Sequence, residues 1–182
     1  MSGQKKGKWL SLFKKRVSEP DTEWEFIDGS YVKAHQHSAG ASGADSQSIG
    51  KRRAENTTNI HLAVDSDGLP IEFTVTGGEI HNSTAASELI EPLPPAKAVV
   101  ADKGYDSEKI REQIKNKGAN AVIPRRSNSV LGNADMDGSL YRHRHLVENA
   151  FARLKHFRGL ATCYDKLKRN YQSGVAMACG FL

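Results

Sequence analysis

Two runs of β-forming residues, Ile60-His61-Leu62-Ala63-Val64-Asp65 and Ile71-Glu72-Phe73-Thr74-Val75-Thr76, flank Ser66-Asp67-Gly68. Asp-Gly readily supplies the positive φ angles of a tight hairpin turn, so the two runs are expected to pair antiparallel. Upstream, Trp24 to Val32 alternates and is rich in β-formers, which predicts a third strand. Downstream the pattern changes. Ala98-Val99-Val100-Ala101 and Ala121-Val122-Ile123 are short, continuously apolar runs, the mark of strands covered on both faces. One helical stretch precedes the first of these runs and another lies between them. One is capped by Asn82 or Ser83 and halted by Pro92, Pro94 and Pro95; the other runs from an Asp106 or Ser107 cap to Lys117, with Gly118 as its stop.

The order is an antiparallel meander of three strands, a helix, a β-α-β unit and a long helix. Such an order predicts an α/β fold with a mixed sheet flanked by helices, the arrangement of an RNase H-like domain. Ahead of it, Trp9, Leu10, Leu12, Phe13 and Val17 recur at helical spacing among lysines. Residues 1–20 therefore read as a basic amphipathic appendage halted by Pro20, and 21–182 as the domain proper. Ala, Gly and Ser between Ala39 and Ser48 predict a flexible loop spanning about residues 36–57, with the basic cluster Lys51-Arg52-Arg53 near its end. No apolar run is long enough for a membrane span and no secretory signal is visible, so a cytoplasmic protein is expected.

The run Tyr141 to Lys155, read as one helix, returns Tyr141, Arg144, Glu148 and Lys155 to an arc of roughly 60° at 100° per residue. An apolar stripe of Leu140, Val147, Ala150, Phe151 and Leu154 lies beside that arc. A carboxylate among cations suits a metal-dependent site on a phosphate backbone, and equally a surface helix with an Arg144–Glu148 pair. Two further carboxylates fall at informative places: Asp28 within the first strand, and Asp102 at the end of an apolar one, where open α/β sheets place ligands. Were the first and fourth strands neighbours, the two would lie side by side, unfavourable without a cation between them. Hard oxygen donors of this kind suit Mg²⁺ or Mn²⁺. The seven histidines lack the spacing and company that zinc requires. Arg125 and Arg126 form a basic loop able to meet phosphates, in a chain of net charge +5.

The segments FIDGSYVKAHQH, NIHLAVDSDGLPIEFTVTGG, VVADKGYDS and YRHRHLVENAFARLKHFRGLAT resemble those of bacterial insertion-sequence transposases of the DDE type, close to family five of those elements. Tyr141, Arg144, Glu148 and Lys155 match that family's Tyr-x₂-Arg-x₃-Glu-x₆-Lys signature. The resemblance implies an RNase H-like catalytic domain in which Asp28, Asp102 and Glu148 are catalytic and bind metal, two Mg²⁺ or Mn²⁺ ions in all. It further implies DNA contacts from Arg144 and Lys155, with Tyr141, Arg125 and Arg126 as additional candidates. The implied activity is cleavage and transfer of an element's DNA ends, on terminal inverted repeats and target DNA. A homo-oligomer on DNA and fusion to an upstream reading frame are the expected partnerships. The alternative is a non-catalytic DNA-binding remnant that interferes with a full-length transposase. Arg53 to Asn59 depart from the family pattern, which has Gly-Gly and then Thr-Thr-Lys there. Lys103-Gly104-Tyr105 is expected to make a tight turn, with Tyr105 covering the site.

Overall fold

A computed structural model describes residues 7–17, 19–38, 48–52, 55–127 and 129–182. Lys5, Lys6, the stretch 39–47 and Arg53 lie outside them. Strands β1 (Trp24–Ala34), β3 (Glu55–Val64) and β4 (Pro70–Gly77) form the antiparallel meander, with β2 (Gly50–Arg52) between the first two in sequence. Asp28 pairs with Leu62 across β1 and β3. At the hairpin Asp65 Oδ1 accepts from the Asp67 and Leu69 amides at 3.1 and 2.8 Å, and Gly68 takes φ 77°. The Asp-Gly signal thus becomes a turn because glycine alone adopts that φ without strain.

On its other edge β1 meets β5 (Ala98–Ala101) in parallel, and β5 in turn meets β6 (Asn120–Val122) in parallel. The sheet order is β2-β3-β1-β5-β6, the mixed sheet expected from the segment order. β4 also pairs with β3, and a two-residue strand, β7 (Thr162–Cys163), pairs with β1. The edge of β1 is therefore shared. β5 pairs with Trp24 to Ile27 and β7 with Lys33 and Ala34, so Asp28 to Val32 have no strand on that edge among the described residues.

Alternation along the strands splits the core in two. On one face Ile27, Ala63 and Ala101 pack with Leu89 and Ile90 of α2 (Asn82–Ile90) and with Ile110 and Ile114 of α3 (Glu108–Asn116). On the other, Phe26, Leu62, Val64 and Val100 pack with Val147, Phe151 and Leu154 of α5 (His145–Lys155) and Val175 and Ala178 of α7 (Lys168–Phe181). The N-terminal helix α1 (Lys8–Arg16) buries Phe13 in this second core, its ring 5.7 Å from that of Phe73. No helix among the described residues is long and apolar enough to cross a membrane.

The run from Tyr141 to Lys155 is not one continuous α-helix. The short helix α4 (Gly138–Tyr141) is capped by Asp137 Oδ1, which accepts from the Ser139 and Leu140 amides at 3.0 and 2.9 Å. Arg142 to Arg144 then form a 3₁₀ turn, and α5 starts at His145. A 3₁₀ turn winds at three residues per turn, so angular arithmetic for a uniform helix fails across it. His143 in that turn stacks on Trp24, centroids 5.9 Å apart and planes 27° apart. The α6 helix (Arg158–Ala161) leads into β7, a region where periodicity is too short to announce either element.

Candidate active site

Asp28 is held by the pairing of β1 with β3, one residue beyond the parallel Ile27–Ala101 pair. Asp102 is the residue after Ala101, so parallel register alone sets the two carboxylates on adjacent strands at one level. Asp102 Oδ1 accepts the Gly104 amide at 2.7 Å, which closes the Lys103–Tyr105 turn. Glu148, in the first turn of α5, arrives from the opposite side. The link is Arg144: Nη1 donates to Asp28 Oδ2 at 2.9 Å, and Nη2 donates to Glu148 Oε1. Among the described residues no three His, Cys, Asp or Glu side chains gather directly into a metal cage. Here the guanidinium occupies the space between Asp28 and Glu148.

Burial raises the Asp28 pKa above the usual carboxylate range; the Gly29 amide at 2.8 Å and Arg144 oppose the rise, while the charge of Asp102 adds to it. Arg144 also loses solvation, but Asp28 and Glu148 outweigh that loss and raise its pKa. This is a place where anionic side chains call for positive charge.

A buried polar file lies behind the two aspartates. The Tyr105 side chain does not cover the site as expected from the sequence; it turns inward and is 1% exposed. Its hydroxyl lies 3.2 Å from His61 Nδ1, and His61 Nε2 lies 3.1 Å from Thr76 Oγ1. Burial lowers the His61 pKa to about 4, and burial together with the Asp28 and Asp102 charges drives the Tyr105 phenol well up. Both groups are therefore neutral near pH 7. Gly29 makes room for them, since a Cβ there would lie 2.9 Å from Tyr105 Oη and 3.2 Å from His61 Nδ1. Alternation could have placed His61 on the same face as buried Ala63; nothing in the sequence pointed Tyr105 inward.

Of the other sequence candidates, Tyr141 lies with its ring centroid 6.0 Å from Arg144 Cζ, and Lys155 is exposed at the end of α5. Arg153 anchors that helix by donating to Gly68 O at 3.0 Å. Arg125 pairs with Glu108 at 2.9 Å, and the Arg126 amide donates to Asp106 Oδ2 at 2.9 Å. These two arginines thus belong to a network beside α3, together with the Arg111–Asp106 pair at 2.7 Å. A cleft of about 630 Å³ opens beside Asp28 and Asp102, lined also by Tyr31, Arg52, Asn82 and Lys103. Sequence reasoning singled out none of these four as site residues, because they come from four separate elements.

Residues 25–138 match the family model of the transposase DDE domain, and a second model of a transposase DDE domain matches residues 99–180. A transposase ascribed to insertion sequence element IS6501 of Brucella ovis is 33% identical over 130 residues, covering 69% of this chain and 97% of that protein. One ascribed to element IS402 of Burkholderia cepacia is 27% identical over 138 residues, covering 70% of this chain and 63% of that protein. The cryo-EM structure of the piggyBac transposase synaptic complex with hairpin DNA is similar in fold, with TM-score 0.58 at 10% identity. That superposition covers 94% of this chain and 48% of the piggyBac chain, so this chain spans about half of that protein.

Proposed function

The chain belongs to the transposase DDE-domain family, and from that premise we propose that it cuts and rejoins the DNA ends of a bacterial insertion sequence. Asp28, Asp102 and Glu148 would hold two divalent cations, Mg²⁺ or Mn²⁺, in a catalytic domain spanning 21–182 on which the basic α1 is seated. The donor set fits such ions: all three are hard carboxylates, and the site already draws in one cation, the Arg144 guanidinium. When bound, ions of this class activate the attacking oxygen and stabilise the departing one in an in-line displacement at phosphorus.

The chain's own residues supply position and charge. Asp28 sits on a core strand and Asp102 directly follows one, tied by the Gly104 amide, so both carboxylates are held in place before substrate arrives. The Gly104 amide orients Asp102, and the Thr76–His61–Tyr105 file, with His61 and Tyr105 buried, keeps the floor beneath Gly29 neutral. Arg144 is placed to exchange its carboxylate partners for a DNA phosphate, which a guanidinium can grip with two parallel hydrogen bonds. Lys155, about two turns beyond Glu148 at the end of α5, would take a further phosphate. The partners under this reading are the element's terminal repeats, target DNA and a second copy of the chain on DNA.

The observation that carries this reading is the convergence of Arg144 and Glu148 on Asp28, remote from both in sequence, with Asp102 directly after the adjoining strand. Its test is DNA bearing the inverted repeats that flank the reading frame, incubated with the full chain and Mg²⁺ or Mn²⁺. Strand cleavage or joining is expected, and Asp102→Asn should abolish it while keeping the Gly104 hydrogen bond and the fold. Wild-type turnover in Asp102→Asn would refute the metal mechanism. Salt-dependent DNA binding without any cleavage would favour the non-catalytic remnant.

A further inference from the structure

The cleft on the α2 side of the sheet contains a donor that has no acceptor among the described residues. Asn82 Oδ1 accepts from Asn59 Nδ2 at 3.1 Å and from the Tyr31 hydroxyl at 3.3 Å. Two donors thus converge on that one oxygen. Asn59 is fully buried behind it, its own Oδ1 without a partner, and both donors reach Asn82 from the same oxygen side. The Asn82 NH₂ therefore points outward. Seen from Gly104, a point at the position of a Cβ would lie 2.8 Å from Asp102 Oδ1 and 3.3 Å from Asn82 Nδ2. Carboxylate and amide border one spot, and among the described residues no protein acceptor meets that NH₂.

The surroundings name the missing acceptor. Arg52 lies over the Tyr31 ring, its Cζ 3.7 Å from the centroid, and Lys103 adjoins Asp102 on the same cleft. Neither forms an ion pair among the described residues, while the carboxylate of Glu79 opposes them from the cleft wall. Cations lining a groove together with an amide donor are the complement of a chain of phosphates. The groove also has an opening to reach. Asp28 to Val32 have no strand neighbour on the edge of β1 that β5 and β7 share, among the described residues, and Asp28 and Asp102 line the same cleft as Asn82.

We propose that the Tyr31–Arg52–Asn82–Lys103 cleft binds the DNA strand on the far side of the acidic centre from α5, with the Asn82 amide donating to a phosphate oxygen next to Asp102. The inference rests on the DNA-processing reading above and adds a second track to it. On the α5 side the strand meets Arg144, just before α5, and Lys155 at its end; past Asp102 it meets Asn82 and Arg52.

The test is salt-titrated binding of a fluorescein-labelled mixed-sequence duplex to the full chain and to Arg52→Ala, Asn82→Asp and Lys155→Ala. Asn82→Asp still offers an oxygen to Tyr31 and Asn59, yet turns a donor beside Asp102 into a repelling charge. Its affinity should fall about tenfold, the size of one lost charge-assisted contact. Arg52→Ala, on the edge strand β2, should reduce the salt slope by about one phosphate contact. Combined with Lys155→Ala the losses should add, because the two tracks share no partner. Thermal melting identical to wild type for Arg52→Ala keeps the result interpretable even if Asn82→Asp melts early. Unchanged affinity and slope in Arg52→Ala, with loss in Lys155→Ala, would take DNA off the cleft and leave the family reading standing. Wild-type protein with no salt-dependent binding would overturn both.

Discussion

The Arg144 guanidinium donates to Asp28 across 116 residues of sequence, at 2.9 Å, and the same group donates to Glu148 one helical turn away. One cation thus ties the helix of the second core to the central strand. The Arg144 and Asp28 side chains are 22% and 17% exposed, so the pair is partly solvated and worth less than a buried one.

Arg144→Ala should cost about 1–2 kcal/mol of stability, because it leaves Asp28 beside Asp102 with no counter-charge. Urea unfolding measures the loss. Added Mn²⁺ should restore more stability to this variant than to wild type, since a divalent cation can take the vacated place; equal gains would show that the carboxylates do not share a cation.

Gly29→Ala should destabilise by about 1–3 kcal/mol, as its Cβ would press on Tyr105 Oη and His61 Nδ1 inside a packed interior. Tyr105→Phe in the same background should recover part of the loss by removing the nearest atom. Denaturant midpoints of the two variants decide the matter.

Lys155→Ala should reduce the salt slope of DNA binding by about one contact. Glu148→Gln should hold or improve affinity, having lost a negative charge from the same helix, yet stop strand cleavage. Fluorescence anisotropy against ionic strength separates the two, and an unchanged slope for Lys155→Ala would remove that side chain from the DNA.

Glu25 is buried on β1 with Oε1 unpartnered, and burial raises its pKa from 4.5 to about 7. The folded state therefore holds a proton that the unfolded state releases, so its contribution is full below pH 4.5 and is lost as pH rises towards 7. His61 runs the other way: its pKa falls from 6.5 to about 4, so stability declines as pH drops through that window. The two slopes oppose each other between about pH 4.5 and 6.5. Glu25→Gln should add roughly 1–3 kcal/mol at pH 8 and unmask a decline in stability below pH 6.5. A wild-type profile already falling steeply below pH 6.5 would show that Glu25 does not offset His61.

The sheet was legible in the sequence where side chains alternate or run apolar without a break. Asp67-Gly68 marked the hairpin, and Ala98 to Ala101 marked a strand that only a central, parallel position could bury. That position, next to β1, is what sets Asp28 beside Asp102. Less could be read where an element is too short to carry a period: β2 has three residues and β7 two, and both depend on neighbours remote in sequence. The break at Arg142–Arg144 was hidden because four consecutive basic residues offer no apolar rhythm to interrupt. Asn82 looked like a helix cap; its amide is instead committed to Tyr31 and Asn59, a tertiary arrangement that local sequence does not encode.

The framing of β1 by β5 on one side and β7 on the other has a consequence for synthesis. Asp28 and Asp102 leave the ribosome early, but the far border of their opening is built from Thr162 and Cys163. Until that tail has emerged and folded back across the sheet, the opening has only one jamb. A nascent chain can carry both aspartates and still lack a finished doorway, so the order of translation itself delays completion of this edge of the sheet.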